Sequence, residues 1–337
     1  KEKKELEQYI GKPTVTKDGV HIELVANIGK PEDLEKVLGK TANKENVKYF
    51  DKIRASIRFK HFKKTYDENI LDIKGGLNDV VMNNSPIDID KLIEGTNEIL
   101  TANRNSLQLF DMLHSMRQFD DLTYVHSVNV ALIASILGQW LKFSEKDIRI
   151  LTISGLLHDI GKIMIPNEIL TKPGKLTVAE YNIMKQHVNF GYEKVKNQNI
   201  DIRIKEACLL HHEKCDGTGY PFGLKSDHIP AVAKIIAIAD VYDAMTSARV
   251  YRGALCPFEV IDTMYKDAFT KFEPEYILPF LKNVASSYIN NDVRLSDGRI
   301  GKVVLINENA LSLPIVQCED EFIDLSKTRG LTVSAIL

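Results

Sequence analysis

Leu156-Leu157-His158-Asp159-Ile160-Gly161-Lys162 decides how this chain is read. The run sets a histidine beside an aspartate at the end of an apolar helix. Both side chains can turn toward one metal ion, the imidazole giving nitrogen and the carboxylate one or two oxygens. A carboxylate can also bridge two ions. Lys162, just past Asp159, is close enough to meet an anion at the same centre. One such pair is weak, but the other histidines strengthen it. Of nine in the chain, five fall at helix ends or in polar motifs between 126 and 212. His126 stands in Tyr-Val-His-Ser, His187 in Lys-Gln-His-Val, and His211-His212 form a doublet. Asp240 closes the series in Ala-Ile-Ala-Asp-Val-Tyr-Asp. Mixed nitrogen and oxygen ligands in this number suit iron, manganese or another first-row divalent ion, and exceed what one ion takes. Two ions sharing Asp159 use them all. Without metal, so many buried imidazoles would each need a hydrogen-bonding partner.

Size and composition leave room for this chemistry without specifying it. At 337 residues the chain can hold two domains, or one with appendages. Hydrophobic content of 44% and charged content of 27% are ordinary for a soluble protein. A net charge of −2 gives no general drive toward DNA, RNA or anionic membrane, so phosphate binding must come from a local cluster. No apolar run approaches the ~20 residues of a membrane span, and no signal-peptide core follows the charged start. Cys208, Cys215, Cys256 and Cys318 show no CxxC pair, and reduced thiols in a cytoplasmic protein fit best. Cys208 reads as core and Cys215 as a loop thiol.

Taken in order, the metal-type residues resemble one known family. His126, the His158-Asp159-Ile160-Gly161-Lys162 run, His187, the stretch His211-His212-Glu213-Lys214-Cys215-Asp216-Gly217-Thr218-Gly219-Tyr220-Pro221 and then Asp240 look like the HD-GYP family. Its members are HD-superfamily phosphodiesterases that hydrolyse the bacterial second messenger cyclic di-GMP. The likeness covers roughly residues 105 to 285. It implies a mainly α fold, an HD-type helical bundle. It implies hydrolysis to pGpG, and to GMP on a second cleavage, by a hydroxide bridging two divalent ions, with iron or manganese favoured. Carried over position by position, one ion takes His126, His158, Asp159 and Asp240; the second takes Asp159, His187, His211 and His212. Lys162 would steady the charge on phosphorus. Arg249 and Arg252, in Thr-Ser-Ala-Arg-Val-Tyr-Arg, match the family's ligand-binding arginines, suited to gripping phosphate or stacking on guanine. Tyr220 lines the pocket or fixes the loop, and Asp216 and Asp243 hold the loop and arginine side chains. A partner of the diguanylate-cyclase type could dock on the Gly-Tyr-Pro loop. Some members hold a third metal with a glutamate one turn before the first histidine; here that position is Leu122, so two metals are expected.

The rest of the chain parses around this centre. Residues 1–40 read as a short strand and helix segment, with a hairpin signal at Asp18-Gly19 and a helix from Pro31. Residues 1–38 faintly resemble a fragment of phosphotransferase-system enzyme I; its phosphorylated-histidine motif and barrel are missing, so no activity carries over, and His21 reads as structural, like His61, His114 and His228. Residues 41–104 form an N-terminal helical region. The apolar stripe from Val47 to Val81 predicts one long amphipathic helix, usable for a homodimer or for packing on the catalytic helices. Residues 105–290 form the catalytic domain, with helices predicted at 106–118, through His126, from a Ser144 cap to His158, over 177–196, over 201–213, over 231–247, and over 257–270 and 273–289. Residues 291–337 predict a small β appendage, with a hairpin at Asp297-Gly298 and strands near Ile315-Val316 and Phe322-Ile323. Two other functions stay open: hydrolysis of 3',3'-cyclic GMP-AMP, and a catalytically silent sensor that binds the nucleotide and signals through the N-terminal helices.

Overall fold

The computed structural model describes residues 14–16, 19–21, 53–103, 106–116, 122–247 and 255–337. Residues 1–44 form one unit and residues 45–337 a second. In the first, β1 (Thr14–Thr16) pairs antiparallel with β2 (Gly19–His21), Val15 opposite Val20. Of the expected turn at Asp18-Gly19, Gly19 opens β2, while Asp18 and the helix from Pro31 lie outside the described residues, as do Arg249 and Arg252.

The second unit is mainly helical. Ser56 interrupts the stripe read from Val47: its hydroxyl accepts the Phe59 amide and caps α1 (Ile57–Asn83). Phe59, Phe62, Tyr66, Ile73, Leu77, Val80 and Val81 line the buried face of α1, at the three- and four-residue spacing of one helix side. Asn84, left-handed at φ 51°, ends it. Asp88 caps α2 (Ile89–Ala102), which packs on α1 where Asn69 donates to Thr96. α3 (Ser106–Ser115) precedes α4 (Leu122–Trp140), whose stretch from Val128 to Leu137 is buried on every side and forms the central rod. Ser144 caps α5 (Glu145–Leu157) as the sequence predicts.

One predicted helix is two. In place of a single helix over 177–196, α7 (Val178–Met184) and α8 (His187–Val195) flank a break at Lys185-Gln186, after the short α6 (Asn167–Leu170). The break frees the Met184 carbonyl, which His187 Nδ1–H takes up at 2.7 Å. α9 (Ile202–Leu210), α10 (Ala231–Thr246), α11 (Pro257–Asp267) and α12 (Pro274–Ser287) complete the bundle.

The C-terminal residues form an antiparallel sheet of β3 (Asp292–Leu295), β4 (Ile300–Leu305), β5 (Ile315–Cys318), β6 (Glu321–Asp324) and β7 (Val333–Ile336), in the order β6-β5-β4-β3-β7. Gly298, at φ 93°, makes the predicted hairpin turn. Val293, Leu295, Val303, Val316 and Ile336 join the same buried cluster as Phe59 and Val128, so bundle and sheet share one core. Among the described residues, no helix is long and apolar enough to cross a membrane.

Candidate metal centre

Three helix ends and the inner faces of α4 and α10 bring the metal-type residues to one place. His126 projects from α4, His158 caps the C-terminus of α5, and Asp159 follows it. Lys162 lies on the 3-10 turn Ile160–Met164, and His187 opens α8. His211 caps α9, with His212 next, and Asp240 sits within α10. The turn after α5 can enter because residue 161 is glycine: a Cβ there would fall 1.9 Å from the His187 carbonyl oxygen.

Hydrogen bonding fixes which way each imidazole faces. A backbone carbonyl only accepts, so a ring nitrogen bonded to one must carry the proton, leaving the other nitrogen with a bare lone pair. His158 Nδ1–H donates to Gly155 O at 2.8 Å, and His187 Nδ1–H to Met184 O. His211 Nδ1–H is shared between the Ala207 and Cys208 carbonyls, both at 3.1 Å. The three Nε2 atoms therefore face inward as acceptors, and they meet another acceptor. His158 Nε2 lies 3.2 Å from Asp159 Oδ2, with His126 Nε2 at 3.5 Å from the same oxygen. His187 Nε2 and His211 Nε2 stand 3.3 and 3.7 Å from Asp159 Oδ1, and 3.5 Å from each other. His158 Nε2 and Asp159 Oδ1 are buried with no hydrogen-bond partner at all. Each such orphan costs about 1–3 kcal/mol, and a cation removes the deficit for every lone pair at once.

The carboxylate thus divides the centre, one oxygen toward His126 and His158, the other toward His187 and His211. His212 belongs with the second group. Asp240 touches both sides, its Oδ1 at 2.9 Å from His126 Nε2 and its Oδ2 at 3.7 Å from His212 Nδ1. Lys162 forms an ion pair with Asp159.

Charge follows from burial and neighbours. Burial keeps His158 and His212 neutral and pushes His187 down to about 3. Burial opposes ionisation of Asp159, but the Lys162 ammonium beside it overrides burial and holds the carboxyl well below its usual range. Asp240 is held down against burial by its bond to His126. His126 goes the other way: burial disfavours its cation, yet Asp240 and Asp243 raise it to about 10. His126 must give up that proton before its Nε2 can hold a metal ion. Neutral imidazoles, ionised carboxylates and orphaned inward lone pairs fit a pair of divalent ions.

Residues around these side chains secure this arrangement. Asp243, expected to hold arginine side chains, accepts from His126 Nδ1–H at 2.8 Å, the carboxylate–histidine pairing that orients metal-binding imidazoles. Asn129 in turn donates to Asp243 at 2.9 Å. Glu213, unassigned from sequence, is buried, and its two oxygens accept the Phe222 and Leu224 amides at 2.7 and 2.9 Å, closing the Gly-Tyr-Pro loop over the doublet. An acid placed between a histidine doublet and a glycine-rich loop was the available signal. Gly219 lets the loop cross its own stem, since a Cβ would meet Glu213 Cα at 2.4 Å. The Tyr220 ring stacks on His212 with centroids 4.7 Å apart. Asp216 holds the loop through the Thr218 amide and hydroxyl, as expected.

Comparison with known proteins agrees with this centre. A profile described as HD domain matches residues 96–276. The chain is 36% identical over 203 residues to the cyclic di-GMP phosphodiesterase PA4108 of Pseudomonas aeruginosa, covering 60% of this chain and 49% of that one. It is 36% identical over 197 residues to the cyclic di-GMP phosphodiesterase response regulator RpfG of Xanthomonas campestris, covering 58% and 52%. To the 3'3'-cGAMP-specific phosphodiesterase 2 of Vibrio cholerae it is 30% identical over 216 residues, covering 63% and 40%. The chain spans about half the length of these curated relatives, or less. With the HD profile over more than half its length and the Gly219-Tyr220-Pro221 element after the doublet, the chain belongs to the HD-domain family, in its HD-GYP branch.

Proposed function

We propose that this chain is a metal-dependent phosphodiesterase that hydrolyses cyclic di-GMP to pGpG in the cytoplasm, with iron or manganese as its metal. One ion is assigned to His126, His158, Asp159 and Asp240, the other to Asp159, His187, His211 and His212. The observation that carries the reading is the convergence of the His158, His187 and His211 Nε2 lone pairs on the two oxygens of Asp159, with no donor at Oδ1 or at His158 Nε2. Two divalent ions there supply an acidified water and a clamp on the phosphate oxygens, the needs of phosphodiester cleavage near neutral pH.

The protein's own groups do the positioning. Asp243 aims His126 inward, and the backbone carbonyls at 155, 184, 207 and 208 aim the others. Lys162, beside Asp159, carries the positive charge for the phosphate. Arg249 and Arg252 are assigned to the second phosphate or a guanine face, and Tyr220 to the pocket wall. Phe222, exposed on the loop, suits a diguanylate-cyclase-type partner, and exposed Ile57, Leu71 and Met82 on α1 suit a second copy.

The test is turnover of cyclic di-GMP by metal-loaded protein beside the His158→Ala, Asp159→Ala double variant. Release of pGpG by the unaltered chain alone supports the reading, and tight binding without turnover by that chain replaces it with a sensor. Faster cleavage of 3',3'-cyclic GMP-AMP in the same assay reassigns the substrate.

A further inference from the structure

The hydrogen bonds behind His126 do not stop within the helices that carry the ligands. Asp243 Oδ2 accepts from His126 Nδ1–H at 2.8 Å, and its Oδ1 accepts from Asn129 Nδ2 at 2.9 Å. Asn129 Oδ1 accepts from the Tyr66 hydroxyl at 2.6 Å. Tyr66 belongs to α1, ahead of the 96–276 HD match, and Tyr66, Asn129 and Asp243 are 1%, 3% and 2% exposed.

The chain of donors has a direction. An amide side chain has one accepting and one donating end, so the Tyr66 hydroxyl at Oδ1 turns the Asn129 NH2 toward Asp243. A flipped Asn129 would set oxygen against carboxylate in a dry interior, where such a clash is strongly penalised. Asp243 so oriented takes the His126 Nδ1 proton and leaves Nε2 facing Asp240 and Asp159. We propose that Tyr66 is a positioning residue of the metal centre, through which helix α1 sets the affinity of the ion held by His126. The proposal rests on the two-metal reading above. Its consequence is regulatory: a shift of α1 that withdraws the hydroxyl weakens one ion and spares the other.

The experiment is manganese titration of the full chain, followed by calorimetry and Mn(II) electron paramagnetic resonance, for the unaltered protein, Tyr66→Phe, Ile73→Ala and His158→Ala. Tyr66→Phe keeps the buried ring and removes only the hydroxyl. Removing an outer partner of a metal ligand costs about 10–100-fold in affinity, and one bond further out about 3–10-fold is expected, at one site only, with a changed Mn(II) signal. Ile73→Ala, which loosens the buried face of α1 but keeps the hydroxyl, lowers Tm and leaves both affinities within about twofold. Equal affinities for Tyr66→Phe and the unaltered chain overturn the proposal, as does an equal loss at both sites. If His158→Ala also titrates like the unaltered chain, the two-metal reading itself fails; if it weakens binding while Tyr66→Phe does not, only the relay falls.

Discussion

Gly161 lies so close to His187 that a Cβ on it would stand 1.9 Å from the His187 carbonyl oxygen and 2.5 Å from the Gly191 amide nitrogen. Backbone meets backbone there, so neither side can yield as a side chain would. Gly161→Ala should force the turn after Asp159 away from α8, costing about 3 kcal/mol or more. Urea denaturation reads the loss, and metal analysis should show less than half the usual content. Unchanged stability would mean that the approach of the turn to α8 is not as described.

Asp159 faces four imidazoles, His126 and His158 through Oδ2 and His187 and His211 through Oδ1. Asp159→Asn should therefore remove both ions, while His187→Ala leaves one bound. Several kcal/mol of transition-state stabilisation go with the ions, so kcat for Asp159→Asn should fall at least about a thousandfold. Metal counts of the two variants by elemental analysis distinguish a shared carboxylate from an ordinary ligand.

Glu213 closes the loop with two charge-assisted bonds. Glu213→Gln turns one acceptor into a donor that faces an amide N–H. The cost should be about 2 kcal/mol, from a lost bond to a charged group. Hydrogen exchange at the Phe222 and Leu224 amides should quicken at least about tenfold, with the ligand helices unaffected.

His126 predicts a pH signature for protein stripped of metal by chelation. Its folded value is raised from 6.5 to about 10 by Asp240 and Asp243 against burial. A raised value means stability that is complete below 6.5 and lost as pH climbs through about 10. Asp240, held low, adds stability only above the ordinary carboxylate range, so it is constant across this window. Buried Cys208 and Tyr220 also lose protons less readily when folded, so the measurement is a difference. Between pH 7 and 10 the unaltered chain should lose more Tm than His126→Gln does.

Much of the centre could be read from the chain because metal-type residues recur in order, with His158, His187 and His211 at helix ends, where polar side chains mark themselves against apolar helix interiors. The sequence separates those residues clearly from the core of α4 and α10. The shell behind them was not legible. Tyr66 reads as one more member of an apolar stripe, and its hydroxyl partner lies 63 positions away. The bond from His126 to Asp243 was hidden because nothing local shows that α10 faces His126. The break before His187 was hidden because apolar spacing continues through Ile183 and Val188. Strand β7 escaped because its partner β3 is far back in sequence, and pairing rather than local pattern makes it a strand.

The divided role of Asp159 bears on how the centre fills. A first cation would draw one carboxyl oxygen to itself and fix the plane of the group. The remaining oxygen would then already point at the opposite imidazoles, so the later arrival meets a ligand in place.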